Sequence, residues 1–235
     1  MPVITITNFR GNPTHDALAL VKRASELRGL TFGNGIDSLL QGGLVPNTFN
    51  FLYGHLADSW MNVLCGNFVR TFKLKALFVD GANCFDPYLI ADRCAPIKSE
   101  SMLRKFLQQI IVVRAFSCYQ LRAVVMKQIE QKYFKQWIDI HAVFVTGIDA
   151  LFNEEDNPAD EIDALQLLMA SSLKETATKK SGGRHPLFLV SSSKTFVKHF
   201  IAKSDTAIKL YEDKGGREMA MLSKHWTRQY TAAKL

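Results

Sequence analysis

Cysteine is sparse in this chain, and its placement carries no chemistry. Cys65, Cys84, Cys94 and Cys118 stand far apart without a C-x-x-C pair, and the six histidines form no H-x-x-x-H. A zinc or other metal site is therefore not expected, and free buried thiols of a reducing compartment are the default. No G-x-S-x-G is present, so a nucleophile elbow is excluded. G-x-G-x-x-G is also missing; residues 32–37, FGNGID, contain G-x-G alone. No apolar stretch reaches the roughly 20 residues that span a bilayer. The opening MPVITITNFR lacks the apolar run of a secretory leader, so a soluble intracellular protein is expected.

What is present is ordinary globular material. Of 235 residues, 47% are hydrophobic and 22% charged, which suits one large α/β domain with a core that needs no staples. The net charge is +7, but it is unevenly spread: residues 101–150 carry +4, 151–175 carry −6, and 176–235 carry +8. A basic surface, if there is one, belongs to the last third; such a balance permits nucleic-acid contact without establishing it.

Runs rich in β-branched and aromatic residues alternate with helical patterns. Strands are expected at Phe49–Tyr53, Ala76–Asp80, Ile110–Arg114, Ala142–Thr146 and Leu187–Ser191. The first four are near-continuous apolar runs, as for strands buried on both faces. Helices are expected at Ser59–Thr71, Pro87–Ala95, Ser101–Gln108, Tyr119–Lys135 and Glu161–Thr178. Repeated βα units imply a mostly parallel central sheet covered by helices on both sides. Thr206–Tyr211 and Glu218–Leu222 alternate about a Gly215-Gly216 turn, which predicts an antiparallel hairpin added at the sheet edge. Residues 1–28 form a separate segment: a short strand, Val3, Ile4, Thr5, Ile6 and Thr7, then a helix over Asp16–Leu27, with residues 29–235 as the core.

Residues 49–64, FNFLYGHLADSWMNVL, have the layout of a phosphate-binding loop: an apolar strand, a glycine, a short loop, an amphipathic helix. Against G-x-x-x-x-G-K-[ST], Gly54 holds the first glycine, Ser59 replaces the second, Trp60 the lysine and Met61 the hydroxyl residue. Lysine neutralises phosphate and the hydroxyl holds Mg²⁺; an indole and a thioether do neither. Two readings stay open. Nucleotide binds through backbone N–H groups at the helix N-terminus alone, or Trp60 folds inward as core.

The order of these elements resembles the RecA/RadA recombinase superfamily, and most nearly its small RadB-like members and eukaryotic recombinase paralogues. The likeness is carried by residues 32–54 (FGNGIDSLLQGGLVPNTFNFLYG), 76–90 (ALFVDGANCFDPYLI), 110–122 (IIVVRAFSCYQLR) and 141–152 (HAVFVTGIDALF), and runs from about Leu30 to Arg228. It implies a RecA-like fold. It also implies that the catalytic glutamate falls on Ala82, the Walker B aspartate on Thr146 and the polar sensor near Ser192, while Asp80 remains to shape its turn. With Trp60 and Met61, four catalytic positions are lost together. The resemblance therefore implies no cofactor and no hydrolysis: a degenerate ATPase serving as accessory subunit in homologous recombination or DNA repair, beside an active recombinase or another paralogue. It would sit in the nucleus of a eukaryote, or in the cytoplasm or nucleoid of an archaeon. The alternatives are a RecA-like NTPase with an unconventional or partner-completed nucleotide site, and a KaiC-like scaffold without a DNA role.

Binding features follow the same frame. The loop after Phe152 reads NEEDNPADEID, whose carboxylates repel a phosphate backbone; Asp160 is a candidate helix cap. The segment after Ser191 carries Lys194, Lys198 and Lys203 with Phe196, either a small single-stranded DNA site or an amphipathic helix burying Phe196, Val197, Phe200 and Ile201. Arg228 adds a cation among the aromatic residues of the tail. In the family a short segment before the core adds a strand to the neighbour's sheet, and Val3–Thr7 resembles it in position; pairing at the edge of its own sheet is the other reading.

Overall fold

In the computed structural model the described residues are 36, 39–40, 43–94, 99–135, 140–150, 159–181, 185–194, 197–225 and 232–234. Val3–Thr7, the helix expected at Asp16–Leu27 and the boundary near residue 28 lie outside them. The apolar runs form strands β1 (Phe49–Tyr53), β2 (Lys75–Asp80), β3 (Ile110–Arg114), β4 (Ile140–Thr146) and β5 (Leu187–Ser192). After them come β6 (Thr206–Glu212), β7 (Glu218–His225) and β8 (Ala232–Lys234). One sheet holds them in the order β3-β2-β4-β5-β1-β6-β7-β8. Every pairing from β3 to β6 is parallel; β6–β7 and β7–β8 are antiparallel. The expected hairpin is thus β6–β7. It joins the sheet through the parallel pairing of β6 with β1, and β8 continues the sheet beyond β7.

The central strands are largely apolar because both faces are covered. Alternate residues of each strand go to opposite sides. Phe51, Leu77, Val79, Val143, Val145, Phe188 and Val190 enter one core cluster, and Leu52, Ala76, Phe78, Phe144, Leu187 and Leu189 the other. The second cluster lies under helices α1 (Ala57–Phe72) and α2 (Pro87–Cys94). Next in the chain is α3 (Glu100–Leu107), capped by Ser99, whose hydroxyl accepts the Met102 N–H. The first cluster is closed by α4 (Cys118–Ala123), the turns that follow it, α5 (Ala159–Ala177) and α6 (Lys198–Lys203).

Three expectations are corrected. β3 is not buried on both faces: it is the edge strand, and Val112 and Arg114 face solvent. Its apolar composition fits an edge because Ile111 and Val113 still pack on the first cluster. The helix expected at Tyr119–Lys135 is α-helical only to Ala123 and continues as a π-helix over Val124–Phe134. Val124, Ile129 and Phe134 recur every five residues, and the wider i→i+5 winding sets all three toward the core. Asp160 is not a cap: α5 begins at Ala159, so Asp160 lies inside the first turn, where the helix dipole favours a carboxylate.

The start of β1 is held by one residue of the β5–β6 connection. Asp205 accepts the Phe49 N–H at 2.8 Å, donates its own N–H to Phe49 O, and binds the Lys174 ammonium of α5. Phe51 is then stacked between Tyr53 and Phe200, with ring centroids 5.9 Å and 5.6 Å away. Truncating Phe51 to alanine should cost about 3–5 kcal/mol, a large part of the roughly 5–15 kcal/mol typical of a domain. Denaturant unfolding at equilibrium measures it; a loss below about 1 kcal/mol would mean that this stack does not anchor the sheet.

Candidate functional site

Parallel strands deliver their C-terminal ends to one edge of the sheet, where ligands of open α/β folds bind. Gly54 follows β1, Gly81-Ala82 follows β2, Gly147 follows β4, and Ser192 ends β5. The structure thus brings Gly54, Ala82, Thr146 and Ser192 together at one end. Two of the turns are tight enough to require glycine. Gly54 has φ +108°, and a Cβ there would stand 2.2 Å from Leu210 O. Gly147 has φ +61°, and its Cβ would stand 2.4 Å from the Cβ of Ala82. The Ala82 turn is therefore pressed onto the turn after β4.

The loop after β1 is short. It occupies Gly54, His55 and Leu56, and α1 begins at Ala57, two residues before Ser59. Gly54 donates its N–H to Ser192 O, Ala57 to Gly54 O and Trp60 to Leu56 O. The Ser59 hydroxyl turns back to Leu56 O at 2.9 Å. The Ala57 and Trp60 amides are thus spent within the protein. Trp60 and Met61 are buried in the second core cluster, so the inward-packing reading of Trp60 holds. Thr146 is fully buried at the end of β4, its hydroxyl 3.4 Å from Val79 O and from Asp80 Oδ1.

The N-terminus of α1 carries a carboxyl group of the protein itself. Asp58, in the first turn, directs Oδ1 at the Gly147 N–H (3.1 Å) and the Ser191 hydroxyl (2.5 Å). It is only 9% exposed. Burial pushes its carboxyl above the ordinary value; the bonds from Ser191 and Gly147 pull it back, and the charges of Asp149 and Asp80 add to the rise. Around it the turn after β2 is fixed. Asp80 accepts the Cys84 and Phe85 N–H groups at 2.9 and 3.2 Å and meets the Arg114 guanidinium at 3.4 Å, which is the turn-shaping role expected of it. Asn62 of α1 binds Cys84 O and the Asp86 N–H, both at 2.9 Å. Burial pushes the Cys84 thiol up to about 12, so it stays protonated and unreactive at neutral pH. Asp149, two residues past Gly147, is 1% exposed, and neither of its carboxylate oxygens has a hydrogen-bond partner among the described residues.

Of the DNA-binding candidates, Lys194 borders this edge, its N–H donating to the Ser192 hydroxyl at 3.2 Å. Lys194 is exposed just past β5, and Lys198 and Lys203 stand exposed at either end of α6. Lys198 is already paired with Asp163 of α5 at 2.7 Å, beside His199 at 2.9 Å. Val197 and Phe200 are buried, as an amphipathic helix requires. Arg228, Phe196 and most of the acidic loop after Phe152 lie outside the described residues. Among the described residues no three His, Cys, Asp or Glu side chains are grouped to hold a metal ion, and no helix is long and apolar enough to cross a membrane. Sequence reading missed Asp58 and Asp149. The signal for Asp58 was an acidic residue just inside the first turn of the loop's helix; for Asp149 nothing local marks its burial. No protein-family model matches the chain, and a search of curated proteins finds no match.

The raised Asp58 carboxyl sets a sign for pH dependence. Its proton is held more tightly in the folded than in the unfolded chain. Its unfavourable contribution is thus absent below the unfolded value of 3.8 and grows as pH rises through the folded value. The substitution Asp58→Asn keeps an oxygen for Gly147 and Ser191 but removes the ionisation. The difference in melting temperature, variant minus parent, should therefore become more positive from about pH 3 to about pH 7. A difference that is flat, or that falls with pH, would contradict this assignment.

Proposed function

We propose that the chain is a catalytically silent protein of the P-loop type, an accessory subunit in homologous recombination or DNA repair that works by binding an active recombinase or another paralogue. The single observation that carries the absence of nucleotide chemistry is Asp58. P-loop proteins hold phosphate at a helix N-terminus; here a carboxylate of the chain already stands in the first turn and is bonded to the ends of β4 and β5. In its ionised form it would repel a phosphate about 4 Å away by roughly 4 kcal/mol at an effective dielectric near 20. The helix dipole offers an anion only about 0.3–1 kcal/mol in return. Neither Trp60 nor Met61 adds a cation or a metal ligand, and both are committed to the core. The assignment to recombination rests on the resemblance of the four segments and on the convergence of their strand ends.

ATP with Mg²⁺, titrated calorimetrically into the purified chain, should give no saturable heat at micromolar concentrations and no turnover. A micromolar dissociation constant would overturn the proposal. Placing lysine alone at Trp60 should not restore hydrolysis, since Asp58, Ala82 and Thr146 remain, and should lower stability by burying an ammonium in the second core cluster.

Any binding of single-stranded DNA is assigned to the last third of the chain. Replacing Lys194, Lys198 and Lys203 together should weaken it and flatten its salt slope by about one unit for each phosphate no longer neutralised. Because Lys198 shares its charge with Asp163, removing it alone should do less than removing Lys194. Binding that survives the triple change with its slope intact would place the DNA surface elsewhere.

A further inference from the structure

The side that α4 and the π-helix turn to solvent combines a row of cations with two bare aromatic rings. Val124, Ile129 and Phe134 face the core at intervals of five residues. Arg122, Lys127 and Lys132 recur at the same interval, and all three are exposed. In an α-helix five residues overshoot one turn widely, and such residues scatter around the axis. The i→i+5 winding brings them back onto one side. Elsewhere on the surface cations pair with acids: Arg104 with Glu100, Lys198 with Asp163, Arg217 with Asp213. Among the described residues Arg122 and Lys127 have no such partner, and Lys132 lies over the Tyr133 ring, 5.3 Å from its centroid. Residues 114–135 hold one acid, Glu130, and Lys179 takes it up at 2.5 Å.

The rings stand where this side begins. Phe116 is 72% exposed and Tyr119 60%. Local hydrogen bonds fix the backbone that presents them. Ser117 caps α4, its hydroxyl accepting the Gln120 N–H at 3.2 Å, and Gln120 Oε1 accepts the Phe116 N–H at 2.8 Å. An apolar residue just before a cap commonly packs on the fourth residue of the helix. That residue is Leu121, which is fully buried, while Phe116 points its ring at solvent instead. Tyr119 and Arg122 are three residues apart on α4 and so are neighbours on its surface.

We propose that Phe116, Tyr119, Arg122, Lys127 and Lys132 form a binding surface for single-stranded nucleic acid, with bases stacked on the two rings and phosphates along the row of cations. Charge complementarity selects a polyanion. The rings select the single strand, because in a duplex the base faces are already stacked on one another and only a single strand offers them to a side chain. This rests on the reading of the chain as a DNA-repair subunit, and it adds a base-stacking contact to the phosphate contacts assigned to Lys194, Lys198 and Lys203. The π-helix and α6 both pack on α5, so the two contacts share one face of the sheet.

The purified chain tests this by fluorescence anisotropy with a labelled oligothymidylate of about 20 nucleotides, longer than a typical single-strand site of about 4–16. The parent should bind it about tenfold or more tightly than a duplex of the same length. Phe116→Ser with Tyr119→Ser should weaken binding about tenfold or more and leave the salt slope as it was, because stacking releases no counterions. Arg122→Gln, Lys127→Gln and Lys132→Gln together should flatten the slope by about 2, at about 0.7 for each phosphate of a single strand. All five side chains are exposed, so both variants should fold, and a melting curve of each reports it; either set decides if the other does not fold. No binding by the parent, equal affinity for the duplex, or unchanged affinity and slope in both variants would overturn the surface. Displacement by polyglutamate as effective as by unlabelled oligothymidylate would also overturn it, and would mark this side as one for an acidic protein. Those results would leave the lack of ATP binding untouched. Conversely, tight ATP binding by the parent would refute the accessory reading while leaving the oligothymidylate titration as a separate result.

Discussion

The clasp made by Asp58 is the interaction on which the functional end of this molecule depends. One carboxylate oxygen joins the first turn of α1 to the turn after β4 and to the end of β5. Three elements far apart in sequence are thereby held in one arrangement, with a carboxyl of the chain at the helix N-terminus. The surrounding turns make the same kind of connection. Asp80 folds the segment after β2 back on itself, and Asn62 ties that segment to α1. An edge that in an active P-loop protein must stay open to phosphate is here bonded to itself.

The sheet makes this possible. Parallel pairing from β3 to β6 sends the ends of β1, β2, β4 and β5 the same way, and helices over both faces bury the strands that carry them. Large side chains fill what is left. Phe51 stacks with Tyr53 and Phe200 on one side, and Phe78 and Phe144 stack on the other with centroids 6.4 Å apart. The β6–β8 extension carries the sheet past β1, and Leu210 closes against Gly54, so even the first glycine of the loop is a packing residue as much as a conformational one.

Much of this was legible beforehand. β1 and β3 have the bounds expected of them, because their mostly apolar runs pack on the core. The burial of Trp60 followed from a large aromatic on a helix face, and the turn role of Asp80 from the resemblance. The misreadings have physical causes. A β-branched run such as IIVVR looks alike in the centre and at the edge of a sheet, since burial depends on which strands come to lie beside it. The change to π-helix in Val124–Phe134 carries no local signal in the sequence, since its apolar spacing reads as an ordinary helix.

By itself the sequence determined the βα succession, the hairpin about Gly215-Gly216, and that Trp60, Met61, Ala82 and Thr146 offer no charged group. These are local matters of periodicity, backbone freedom and side-chain chemistry. Only the tertiary structure decided what surrounds them. Asp58 stands 89 residues from Gly147 and 133 from Ser191 along the chain. Whether such a carboxylate is solvated on a helix or buried as the charge that closes a site depends on which strand ends converge around it. The same holds for Asp149, an ordinary aspartate in the sequence until the fold encloses it with no donor for it among the described residues.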